Sequence, residues 1–226
     1  MIKKQIDKSI ILSMPRSGTN FVSSVLRPNF NISTEPLRKS RYTDNFDVKS
    51  HFYELIKLPR FCFKYFLEFE DTLSREELLV IFKNYTITSI FLIRRNILES
   101  FISYKISTSL KFYDLYEFDS EEEKKEKYRL INEANIDVED FMIEQYYESY
   151  KNFINFYNYF RQNHKIDHLL FYEDIDFTFP SLSKKMLNQD KLNNLKKKHN
   201  LEERFCYVSR KFTDISQGIM LKDDIY

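Results

Sequence analysis

Two short segments carry residue types and spacings suited to chemistry. The first is Met14-Pro15-Arg16-Ser17-Gly18-Thr19-Asn20. It follows the apolar run Ile10-Ile11-Leu12-Ser13-Met14, which Pro15 bounds at once and which reads as a buried parallel strand. Gly18 to Leu26 then reads as a helix, ended by Arg27-Pro28. A tight turn from a strand into a helix N-terminus points successive backbone N–H groups into one concavity, and the helix dipole adds positive potential there. Gly18 would let the backbone approach an anion, while Arg16, Ser17 and Thr19 would add side-chain donors. The chain has only two glycines, Gly18 and Gly218, so each is expected where the backbone needs one. The pattern predicts a phosphate or sulfate site. It is not a Walker A loop, because G-x-x-x-x-G-K-[ST] is absent.

The second segment is Ile90-Phe91-Leu92-Ile93 running into Arg94-Arg95-Asn96, followed by a helix that carries Ser103. Two arginines at the end of a buried strand are costly unless an anion or water receives them. A surface ion pair is the simpler alternative. Ser103 lies eight residues after Arg95, about two helical turns, so its hydroxyl could reach a group that Arg95 also holds. In open α/β sheets ligands sit at the carboxyl ends of the strands, and both segments fall there.

Taken together, "PRSGT" after the first strand and "RNILESFIS" after a later one resemble the PAPS-dependent sulfotransferases, PAPS being 3′-phosphoadenosine 5′-phosphosulfate. Phe171-Tyr172-Glu173-Asp174 is similar to a strand-end Y-E-D that many members carry. The resemblance implies that Arg16, Ser17, Gly18, Thr19 and Asn20 hold the 5′-phosphosulfate, with Arg16 also at the reacting centre. It implies that Arg95 and Ser103 hold the 3′-phosphate, and that the product is the bisphosphate PAP. In the family a late loop covers the nucleotide, which implicates Arg210 or Lys211 at the 3′-phosphate and Phe205, Tyr207 or Phe212 at adenine. The chain has no Trp for that stacking.

Sulfuryl transfer needs a base to take the proton of an attacking hydroxyl. Two candidates compete. Glu35, in Ser33-Thr34-Glu35-Pro36-Leu37, resembles the "E-P" of carbohydrate sulfotransferases and the acidic position of tyrosylprotein sulfotransferases. His51, in Val48-Lys49-Ser50-His51-Phe52, resembles the "K-T-H" of cytosolic members, with Lys49 assisting at the leaving group. The continuous match from Arg16 through Leu37 favours Glu35. The acceptor would be a hydroxyl on a carbohydrate or small molecule. A P-loop kinase using ATP and a non-catalytic nucleotide-binding relative are the competing readings, the kinase disfavoured by the missing Walker lysine and Mg²⁺ aspartate.

The elements that must position these residues follow a strand–helix alternation. Ser74-Arg75-Glu76-Glu77 resembles a capped helix start continuing to Tyr85, Thr86 to Ile93 reads as a strand, and Asn96 to Ser107 as a helix. Residues 29 to 50 are mixed, with Ile32 and Val48 as possible short strands. Glu121 to Lys127 reads as a solvated helix face. Met142, Tyr146, Tyr150, Phe153, Tyr157 and Phe160 form one stripe on a helix from Asp137 to about Arg161, read as core. His168 to Tyr172 reads as a strand and Pro180 to Lys198 as a helix. Variable stretches at 38 to 75 and 108 to 136 are candidates for the acceptor pocket. This gives an α/β fold with a central, mostly parallel sheet. The resemblance makes it a P-loop-NTPase-like three-layer fold, with one domain spanning residues 1–226.

Composition narrows the class. At 226 residues, 42% apolar and 31% charged, the chain can bury a core, which excludes a disordered, collagen or coiled-coil protein. A net charge of +1 shows no bulk field for nucleic acid or membrane surface. Cys62 and Cys206 form neither a disulfide framework nor a metal site, and no His/Cys/Asp cluster has ligand spacing. No apolar stretch approaches the length of a membrane span and no signal segment is evident, so a soluble cytoplasmic protein is expected.

Overall fold

The computed structural model describes residues 7–33, 36, 46–66, 73–110, 120–133 and 138–175, with a few positions between 193 and 205. Its sheet is built on short strands, three of which carry long apolar runs. β1 (Lys8–Ser13), β2 (Asn31–Ser33), β3 (Phe61–Phe66), β4 (Thr88–Ile93) and β5 (His168–Phe171) form one five-stranded sheet in the order β2-β3-β1-β4-β5. Every pairing is parallel. A parallel sheet needs crossovers, and helices supply them: α1 (Thr19–Leu26), α2 (Val48–Leu55), α3 (Arg75–Tyr85), α4 (Ile97–Leu110), α5 (Glu121–Glu133) and α6 (Asp140–Asn163). The expected α/β fold with a central parallel sheet is thus present.

Register and contacts assign the helices to faces. Phe63 of β3 pairs with Ile10 of β1. Phe91 of β4 pairs with Leu12, two residues on and so on the same face. Phe63 meets Phe52 of α2 edge-on at 4.9 Å. Phe91 meets Phe153, Phe156, Tyr157 and Phe160 of α6. Phe82 of α3 joins them through Phe160 at 5.0 Å. Lys64, the neighbour of Phe63, faces the other way and donates to Asn20 of α1. α1 therefore covers one face and α2, α3 and the second half of α6 cover the other, which makes three layers.

The chain groups into two compact units, one of Met1–Ile93 with Lys151–Tyr172, the other of Arg94–Tyr150 with Glu173–Tyr226. The first holds the sheet with α1, α2 and α3. The second is centred on α4, α5 and the start of α6, where Ser100, Tyr146 and Tyr150 join buried hydroxyls at 2.9 Å. Phe205 packs there against Phe101, Tyr146 and Tyr147.

The aromatic stripe of α6 is core as read: Tyr146, Tyr150, Phe153, Tyr157 and Phe160 are all buried. Ser74 caps α3 in the reciprocal box with Glu77. α5 is longer than its charge run suggested, its Arg129 held by Glu126 and Glu133. Two expectations need correction. Val48 opens a helix rather than a strand, because Asp47 caps it through Ser50 N–H at 3.0 Å and Val48 and Phe52 bury one face four residues apart. Phe61–Phe66, inside a stretch read as variable, is a central strand with all six residues buried. The reading of a helix from Pro180 falls mostly outside the described residues.

Candidate anion site

β1 ends at Ser13 and α1 begins at Thr19, so five residues make the turn. Two of them adopt left-handed backbone, Arg16 at φ 64° and Gly18 at φ 86°. Gly18 is the N-cap of α1. Glycine has no side chain with which to cap that helix, no cap bond is made to it among the described residues, and no acid lies in its first turn. First-turn N–H groups have no intrahelical acceptor, so the dipole end of α1 stays electropositive. Ser17 and Thr19 are buried; Arg16 and Asn20 are half-buried.

Gly18 is demanded twice, by its backbone angle and by Tyr172, whose Cδ2 would lie 2.6 Å from a Cβ built on Gly18. The tyrosine of the Y-E-D segment thus packs its ring directly on the turn, a contact between residues whose motifs the sequence shows separately.

The structure adds a residue that sequence reasoning missed. Lys64 lies in the middle of β3, is only 5% exposed, and donates to Asn20 Oδ1 in the first turn of α1. Burying an ammonium costs several kcal/mol unless it is well received. Its position places a second positive group at the same helix end. The available signal was one lysine inside an otherwise apolar run, Phe61-Cys62-Phe63-Lys64-Tyr65-Phe66. On the same face of the sheet Ser13, the residue that leads into the turn, has a buried hydroxyl with no hydrogen-bond partner among the described residues. Cys62 is chemically quiet, its thiol pushed up to about 11 by burial.

Lys49 and His51 both sit on α2. Residues two apart on a helix point about 200° apart, so they do not share a face as a strand Lys-x-His would. The Lys49 ammonium pairs with Glu77 of α3, which raises the lysine pKa and lowers that of the glutamate. His51 is half-buried, its ring edge-on to Phe46 at 5.2 Å. Glu35, Arg210 and Lys211 lie outside the described residues, as do Tyr207 and Phe212. Phe205 is described, and its burial against protein rings commits it to the core rather than to a ligand.

In the second unit the adjacent arginines part ways. Arg94 is 9% exposed and donates to Glu99 Oε2 at 3.1 Å. The Arg95 guanidinium pairs with Asp174 and lies 3.6 Å from Glu173 Oε2 through Nε. Glu173 also accepts the backbone N–H groups of Arg95 at 3.1 Å and Asn96 at 2.9 Å, just ahead of α4. The anions that receive this arginine pair in the structure are thus the protein's own carboxylates. Ser103 is half-buried on α4. Among the described residues no group of His, Cys, Asp and Glu is placed to hold a metal ion, and no helix is long and apolar enough to cross a membrane. No family model, curated protein or solved structure matches the chain.

Proposed function

We propose that the chain is a PAPS-dependent sulfotransferase that moves a sulfuryl group to a hydroxyl on a carbohydrate or small molecule. One observation carries the reading: a strand-to-helix turn with left-handed Gly18 runs into an uncapped helix end beside a buried lysine. Such a turn is built to receive a phosphate or sulfate. The residues present fit a phosphosulfate there, since the Ser13 hydroxyl, without a hydrogen-bond partner among the described residues, and the Lys64 ammonium are both donors on that face. The spacing of Arg95 and Ser103 supports a second phosphate subsite, the feature that separates this donor from ATP.

The donor supplies a sulfuryl group on a phosphate leaving group. Transfer forms the bond from acceptor oxygen to sulfur and breaks the bond from sulfur to the bridging oxygen. The acceptor's proton passes to Glu35 or His51. Arg16, Lys64 and the α1 N–H groups meet the charge that develops on the departing phosphate, an electrostatic role that needs no proton transfer.

Thermal shift against adenosine 3′,5′-bisphosphate, ADP and adenosine 5′-monophosphate tests the reading. A ligand at 100 times its Kd stabilises by ~2.7 kcal/mol, a Tm rise of roughly 5–10 °C for a chain this size. The bisphosphate should win, Arg95→Ala should erase its advantage, and Arg94→Ala should keep it. Equal response to all three nucleotides in the unaltered protein would refute the reading.

A further inference from the structure

The two carboxylates at Arg95 are held differently. Glu173 is anchored by two backbone N–H groups, at 3.1 and 2.9 Å, and its side chain is 28% exposed. Asp174 meets the outer edge of the guanidinium through NH2, and its side chain is 59% exposed. An exposed ion pair of this kind is weak and readily exchanged. A carboxylate capping the chain just before a helix is not.

We infer that Asp174 is a built-in competitor for the phosphate that Arg95 receives, and that Glu173 is the positioning residue that keeps Nε oriented during the exchange. The inference rests on the reading of Arg95 as a 3′-phosphate ligand. In the absence of ligand Asp174 occupies the NH2 edge and neutralises it. A phosphate dianion takes that edge and releases the aspartate to solvent. A neutral 3′-hydroxyl leaves the pair in place, so only a 3′-phosphorylated nucleotide carries the cost of displacing Asp174, and the pair holds that nucleotide's affinity down.

Binding titrations with adenosine 3′,5′-bisphosphate and adenosine 5′-monophosphate, at fixed salt, test this. Asp174→Asn should tighten the bisphosphate by about 2–5-fold, the range a surface ion pair is worth, and leave the monophosphate unchanged. Asp174→Glu, which keeps the charge, should behave as the unaltered protein. Glu173→Gln should weaken the bisphosphate. Unchanged or weaker bisphosphate binding in Asp174→Asn overturns the inference, as does equal tightening of both nucleotides. If the unaltered protein already fails to prefer the bisphosphate, the sulfotransferase reading itself is lost. If that preference stands and only Asp174→Asn is silent, the competitor role alone falls.

Discussion

Replacing Gly18 with alanine probes the turn most directly, and the structure sets its size. The backbone at φ 86° costs an L-residue about 1–2 kcal/mol. The added Cβ would stand 2.6 Å from Cδ2 and 3.0 Å from Cε2 of Tyr172, so either the ring or the turn must move. Overpacking of this kind costs ~1–3 kcal/mol. The sum, about 2–5 kcal/mol, should lower Tm by roughly 4–20 °C. The two parts separate in a double-mutant cycle followed by thermal and urea unfolding. In a Tyr172→Ala background the clash is gone and only the backbone part remains, so Gly18→Ala should cost ~1–3 kcal/mol less there. The same cost in both backgrounds would show that Tyr172 does not press on the turn. A neutral Gly18→Ala would refute the geometry of the turn altogether. Bisphosphate affinity should fall with Gly18→Ala in either background, because the displaced N–H groups no longer converge.

Lys64→Met removes a buried ammonium and keeps its volume. It should leave Tm within a few degrees while weakening the bisphosphate ~10–150-fold, the worth of a hydrogen bond to a charged group; intact affinity by calorimetry would remove Lys64 from the site. Glu35→Gln should cost ~10²–10⁴-fold in sulfate transfer with nucleotide affinity nearly unchanged, while His51→Ala costs less. The reverse order in a radiolabelled transfer assay would make the α2 histidine the base.

What the sequence made legible was what local pattern controls. β1 and β4 are short apolar runs cut off by Pro15 and Arg94, and the α6 stripe repeats at helical spacing, so each announces itself within a dozen residues. β3 did not, because a strand buried on both faces shows no alternation, and its aromatic run lay in a stretch without other signals. Val48 alone does not announce α2, because the helix shows only when its cap, Asp47, and its buried partner, Phe52, are taken together.

The site was legible as motifs but not as contacts. Lys64 reaches Asn20 only because β3 lies beside β1 with Ile11 opposite Lys64, a register no local spacing reveals. The same holds for Arg95. β5 pairs with β4 so that Ile93 lies opposite Phe171. Two residues further along each strand come Arg95 and Glu173, and they meet. The Y-E-D segment and the Arg-Asn segment were both visible in the sequence, yet their joint consequence was not. The arginine predicted to hold a phosphate rests on carboxylates delivered by the neighbouring strand. The strand register, which no local spacing shows, decides which carboxylates meet Arg95.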